Sequence, residues 1–252
     1  MSNLVLDEAT ATSTTAPAFA RPASAPADTG SVSEEYLARR LARPVRKVEP
    51  MAYEFTKDPG LLHQYYRLRE DMFISVWGLE HFTAQEEAHD RVSDIMVAHQ
   101  GLHCIAGGRI TISSPNHRVA LPMEKEDFQI QQLMTDLDLA DHTYCEFSRL
   151  AILPDFRGGV VFPEMARRFI RKAISEGVEY AFNIAPIPLA RSYRQTMQMF
   201  GLKWELCPSV KIPEREEYEG IRMMLSVMDL RPFLKAKPVR AAKRQPVLAD
   251  AE

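Results

Sequence analysis

Cysteine is scarce in this 252-residue chain: Cys104, Cys145 and Cys207 stand alone, with no C-x-x-C spacing. Three cannot all pair, so a disulfide scaffold is excluded and a reducing compartment, the cytoplasm, is expected. Long apolar runs are missing as well. No stretch approaches the ~18 residues of a membrane span, and the first residues lack the basic-then-apolar layout of a secretory signal. Glycine totals only 11 and follows no fixed period, which excludes collagen-like and solenoid chains. No G-x-S-x-G elbow, phosphate-binding G-x-x-x-x-G-K-S/T loop or Rossmann glycine fingerprint occurs. Metal spacing is also absent. His99 and His103 lie four apart beside Cys104 but on expected strands, and His81 and His89 fall in a polar stretch. Charge of one sign does not dominate, at 31 Lys+Arg against 34 Asp+Glu. What remains is 46% hydrophobic and 26% charged, the make-up of a globular chain able to bury a core without staples.

Charge and complexity vary along the chain. Of residues 8–29, 18 are Ala, Ser, Thr or Pro; with so little apolar surface to offset chain entropy, disorder is expected there. Residues 38–47 carry five basic side chains and 235–244 five more. Three parts follow: an Ala/Ser/Thr/Pro-rich then basic extension over 1–47, one domain over 48–233, and a basic flexible tail over 234–252. The domain holds 20 basic and 27 acidic residues. The tails lack interleaved aromatics, which argues against single-strand nucleic-acid binding. Apolar spacing predicts a helix over 61–77, strands over 93–99 and 102–113 joined at Gln100-Gly101, and a short helix over 124–136. It then predicts a strand over 143–153, a helix over 163–176, a strand over 178–185 and a helix over about 189–200. Strands near 202–211 and 220–229 close the order. This is α/β: a mixed sheet with helices on both faces.

The chemistry concentrates in 146–177, EFSRLAILPDFRGGVVFPEMARRFIRKAISEG. A strand enters a glycine-containing turn, and a helix starts behind it. Unpaired N–H groups and the helix dipole make such a place receptive to anionic or carbonyl-rich ligands. Arg157 stands in the turn, and Gly158 and Gly159 allow close backbone approach.

This layout resembles the GNAT acyltransferase fold, which implies a largely antiparallel mixed sheet and a pantetheine thioester lying between two splayed central strands. The turn reads Arg157-Gly158-Gly159-Val160-Val161-Phe162 where the family commonly has R/Q-x-x-G-x-G/A. Within that fold the chain is most similar to acyl-homoserine-lactone (autoinducer) synthases and N-acyl amino acid synthases. The carrying motifs are Arg69-x-x-x-Phe73 with Trp77, the pair Asp90 and Asp94, Arg109 on a strand, and Glu146-Phe147-Ser148-Arg149 followed by LAIL. They occur in order over about residues 60–205. The resemblance implies catalytic roles for Glu146, Ser148 and Arg149. It implies substrate binding by Arg69, Phe73, Trp77, Asp90, Asp94 and Arg109. Leu150, Ile152, Arg157, Gly158 and Gly159 would bind the thioester arm. No tightly bound cofactor or metal is implied; acyl carrier protein, or coenzyme A, delivers the acyl group as co-substrate to a small amine or amino-acid-derived acceptor.

Elementary chemistry suits that role. A thioester is already activated, so the protein must place an amine against its carbonyl, accept a proton and stabilise the oxyanion. A buried Glu146 has a raised pKa and can serve as base. Simple alternation puts Arg149 on the face opposite Glu146; a bulge between them would bring both to one cleft and free a backbone N–H. Each Arg–acid pair reads equally as a structural ion pair, and Phe73 and Trp77, on the apolar helix face, read more readily as core than as substrate wall. Arg167, Arg168, Arg171 and Lys172 on the following helix form a basic patch, either a docking face for an acidic carrier protein or a solvated helix face. In many acetyl-transferring GNAT enzymes a Tyr sits four residues before a Gly-Phe pair. Here Gly201-Leu202 occupies the pair and Met197 the Tyr position, with Tyr193 one turn earlier. The leading expectation is therefore carrier-dependent acyl-homoserine-lactone or N-acyl amino acid synthesis, as in quorum sensing. The alternatives are a coenzyme-A-dependent N-acetyltransferase and a catalytically idle binding module.

Overall fold

A computed structural model describes residues 50–214, 218 and 220–234. The expected extension over 1–47 and almost all of the expected tail over 234–252 lie outside the described residues. The described chain forms seven strands: β1 (Met51–Phe55), β2 (Asp94–Gln100), β3 (His103–Ser113), β4 (Tyr144–Ile152), β5 (Tyr180–Pro186), β6 (Trp204–Leu206) and β7 (Met223–Asp229). Their order in the sheet is β1-β2-β3-β4-β5-β7-β6. Every neighbouring pair is antiparallel except β4 with β5. The helices are α1 (Pro59–Trp77), α2 (Ala88–Arg91), α3 (Ile130–Leu133), α4 (Val161–Ser175), α5 (Ile187–Met199) and α6 (Arg231–Leu234).

Local chemistry sets the ends of α1. Asp58 accepts the Leu61 N–H at 2.8 Å, and Pro59 occupies the first turn, where no donor is needed. Gly78 closes the helix at φ 69, a left-handed cap suited to glycine. α4 begins at Val161, two residues before Pro163, which sits in its first turn.

The sheet separates two apolar layers. On one face α4 and α5 bury Met165, Phe169, Ala190 and Met197 against Ala181 and Met228. On the other, α1 packs Tyr65 and Leu68 on Ile95, Val97 and Ala151, and the segment before β4 buries Leu121, Phe128 and Ile130 against Phe182 and Leu225.

Three differences from the sequence reading have physical causes. β1 was not expected, although Met51, Tyr53 and Phe55 alternate; five residues at a sheet edge give a faint signal. The helix expected over 124–136 shrinks to α3. Leu121, Met123, Phe128 and Ile130 are buried at spacings no helix provides, and Glu124 ties the irregular chain by accepting the Leu121 and Ile130 N–H groups at 2.8 and 3.0 Å. The strand expected over 202–211 stops at Leu206; Cys207 still donates to the Leu225 carbonyl, and Pro208 has no N–H to continue the ladder.

Candidate active site

β4 carries the site. It pairs with β5 only over Tyr144–Glu146 against Tyr180–Phe182. Beyond Glu146 the strands part, and Asn183 bridges the fork by donating from Nδ2 to the Phe147 carbonyl at 2.7 Å. On the other edge the β3–β4 register slips. Gly107 faces Ala151 and Arg109 faces Ser148, so Arg149 and Leu150 together oppose Gly108. Arg149 has φ 57, in the left-handed region. This is the bulge that the sequence reading required, and it carries the Arg149 side chain to the Glu146 side of the sheet.

A cavity of about 520 Å³ occupies the fork and reaches both faces. On the α1 side Phe73, Trp77, Met123, Arg109, Glu146 and Arg149 line it; on the α4–α5 side its wall is Met165, Phe169, Tyr193, Met197 and Trp204. Glu146 is 4% exposed and accepts the Met123 N–H at 2.7 Å. Burial raises its carboxyl to about 7, against the Met123 hydrogen bond and the charges of Arg109 and Arg149, which lower it.

Beside Glu146 lies a buried ionic network. Asp90 accepts from Arg69 at 3.0 Å and from Arg109 at 2.7 Å. Glu87 binds Arg109 at 2.8 Å and Arg149 at 3.0 Å, and Arg109 Nε donates to Ser148 Oγ at 3.2 Å. Burial alone would raise the Glu87 carboxyl, but Arg149, Arg69 and Arg109 pull it down to about 2. The Arg149 guanidinium also donates to the Tyr218 hydroxyl and lies 4.8 Å from the Phe82 ring centre, with Phe82 stacked on Phe73 at 4.4 Å.

The expected site residues thus divide. Glu146, Ser148, Arg149, Leu150, Arg109, Phe73 and Trp77 line the cavity. Arg69 and Asp90 stand behind it and hold Arg109 in place. Asp94 does not join its expected partner. The strand alternation of β2 turns it to the α4 face, where it pairs with Lys172 at 3.0 Å. Ile152 is in the core below the fork and its carbonyl accepts from Arg157 Nε at 3.1 Å. The other end of Arg157 reaches Met72 Sδ, away from the glycine turn. Gly158, at φ 71, and Gly159 shape that turn but do not line the cavity. In the basic patch, Arg167 and Arg168 both bind Glu164, and Lys172 also pairs with Glu176. Arg171 has no ion pair among the described residues. Glu87, Asn183, Tyr65 and Tyr218 went unnoticed in the sequence. Only Asn183, a lone polar residue inside the apolar strand AFNIAP, left a readable signal. No cluster of His, Cys, Asp and Glu able to hold a metal occurs among the described residues, and no described helix is long and apolar enough to cross a membrane.

No protein-family model matches the chain, and no curated protein matches its sequence. Solved structures do. A putative N-acetyltransferase from Lactobacillus plantarum superposes with a TM-score of 0.50 at 14% identity, covering 72% of this chain and 99% of its own. The acyl-homoserine-lactone synthase LasI gives 0.46 at 15% identity over 72% of this chain and 88% of that one. The coenzyme-A-dependent acyl-homoserine lactone synthase BjaI gives 0.47 at 16% identity over 71% and 80%. The described domain has the GNAT acyltransferase fold, a mixed and largely antiparallel open sheet flanked by helices.

Proposed function

We propose that this protein is an N-acyltransferase that moves an acyl group from an acyl-carrier-protein thioester to the amine of an amino-acid-derived acceptor. The single observation carrying this is the cavity through the β4–β5 fork with a buried carboxyl, titrating at about 7, at its centre. The pantetheine arm enters the fork and its acyl chain extends along Met165, Phe169 and Met197. The acceptor binds on the α1 side beside Phe73, Trp77 and Arg149. Charged groups lining the cavity are Arg109, Arg149, Lys211 and Arg222 against Glu146 and Glu214. Glu87 and Asp90 already offset Arg109 and Arg149, so Lys211 and Arg222 against Glu214 are the charges that would meet an acceptor's carboxylate.

Glu146, once ionised, takes a proton from the acceptor's ammonium. The freed nitrogen attacks the thioester carbon, and the bulge N–H stabilises the oxyanion. The attack forms the C–N bond; collapse then breaks the C–S bond, the departing sulfur takes the proton held by Glu146, and the ionised Glu146 accepts the nitrogen's remaining extra proton to leave a neutral amide. The turned-away Arg157 favours carrier-borne pantetheine over coenzyme A with its extra phosphates. On the Arg167, Arg168, Arg171 and Lys172 face, Glu164, Asp94 and Glu176 offset part of the charge, and the cation left over, with Arg171 outside those pairs, is what would meet an acidic carrier.

The test offers matched acyl-carrier-protein and coenzyme A thioesters with amino acids or adenosylmethionine, and reads products by mass spectrometry. Acyl amino acids or acyl-homoserine lactone formed from the carrier substrate support the proposal. Acetylated amines from acetyl coenzyme A alone would replace it with the acetyltransferase reading. No turnover of any thioester would leave a binding module.

A further inference from the structure

The bulge at Arg149 needs an external support, because an L-residue at φ 57 is in a costly conformation and the bulge forfeits ladder hydrogen bonds. We infer that Tyr65 is that support, a positioning residue that aims the oxyanion-binding N–H of β4; the inference rests on the acyl-transfer reading. Tyr65 is fully buried on α1, 84 positions from Arg149, and its hydroxyl donates to the Arg149 carbonyl at 2.7 Å. Burial raises its pKa above the usual phenol value, so the hydroxyl keeps its proton and stays a donor.

Peptide geometry turns this anchor into an aiming device. In a trans peptide the carbonyl of one residue and the N–H of the next point in opposite directions. Fixing the Arg149 carbonyl toward α1 sends the Leu150 N–H away from α1, and Leu150 lines the cavity at the fork. A thioester oxygen held there would meet that donor. The same carbonyl anchor sets the Arg149 Cα, hence the guanidinium that binds Glu87.

Gly107 makes the anchor fit. A Cβ on Gly107 would lie 2.2 Å from Tyr65 Cδ2 and 2.6 Å from Cε2. The ring therefore lies flat on β3 in space that any other residue would fill, and only this close seat lets the hydroxyl reach across to β4. The GG pair of Gly107-Gly108 thus serves the neighbouring strand. A Cβ on Gly108, opposite the bulge, would lie 3.2 Å from the Phe169 ring.

The experiment compares Tyr65→Phe, Gly107→Ala, Tyr65→Leu and the Gly107→Ala/Tyr65→Leu double variant. Readouts are thermal midpoint, steady-state kinetics on the donor that wild type turns over, and amide hydrogen exchange over 148–151. Tyr65→Phe is expected to unfold cooperatively, keep KM within about twofold and lose about tenfold in kcat, the worth of one aimed hydrogen bond. Exchange at the bulge should quicken while the rest of the sheet stays protected. Gly107→Ala should lose activity in wild type but lose little more in the Tyr65→Leu background, since both act through one ring. A Tyr65→Phe variant with a lower thermal midpoint but unchanged kcat and unchanged exchange at the bulge overturns the inference. So do strictly additive losses. If wild type turns over no thioester, the acyl-transfer reading is what fails, and the exchange data alone then decide whether Tyr65 holds the bulge.

Discussion

Replacing Glu146 by Gln should make the protein inactive and more stable at once. Lifting a carboxyl from 4.5 to about 7 corresponds to about 3 kcal/mol of disfavoured ionisation. The sign follows from proton counting. Between those two values the folded chain holds a proton that the unfolded chain has released, so stability falls as pH rises, and the full penalty stands above about 7. Gln carries no charge at any pH, and its side-chain oxygen can still accept the Met123 N–H. The variant should therefore match wild type near pH 4 and exceed it at pH 8 by up to about 3 kcal/mol. For a domain of this size that is roughly 6–12 °C in thermal midpoint. Thermal unfolding at pH 4, 6 and 8 alongside turnover checks it. A Gln variant no more stable than wild type at pH 8 would refute the buried, protonated carboxyl, and retained turnover would refute its role as base.

The wild-type rate should rise with pH through about 7 as Glu146 ionises, and a flat kcat profile between pH 6 and 8 would count against it. Glu87 runs the other way: its carboxyl is held near 2, so its contribution is present above about 4.5 and is lost as pH falls toward 2. Glu87→Gln removes the charge shared by Arg149, Arg109 and Arg69, while Asp90 still holds the last two, and is expected to cost about 1–3 kcal/mol at neutral pH; an unchanged denaturation midpoint in urea would show the network to be dispensable. Met197→Trp should plug the α5 side of the cavity, abolishing turnover of long acyl donors while short ones persist, and equal loss for both would move the acyl path elsewhere.

The architecture was legible where the signal is periodic and local. The apolar stripe of 61–77, the alternation of 102–113 and 143–153, and the stop at Pro154 located α1, β3 and β4 to within two residues. The E-x-S-R strand likewise drew attention to Glu146 and Arg149. Partners separated by long stretches of chain were not legible. Glu87 sits in a polar stretch that resembles any solvated loop, yet it neutralises arginines drawn from α1, β3 and β4. Asp94 shows the opposite error. Four residues from Asp90, it looks like a twin, but Asp90 lies on α2 and Asp94 on β2, so alternation sends it through the sheet to Lys172. What no spacing could reveal is that β4 is irregular on both edges at once. It loses β5 beyond Glu146 and slips against β3 at Arg149. A strand released on both sides lies beside a cavity that meets Glu146 on one face and an apolar wall on the other. A reaction joining a greasy donor to a charged acceptor needs such a place, because each substrate then approaches through the layer that suits its polarity and they meet only at the strand between.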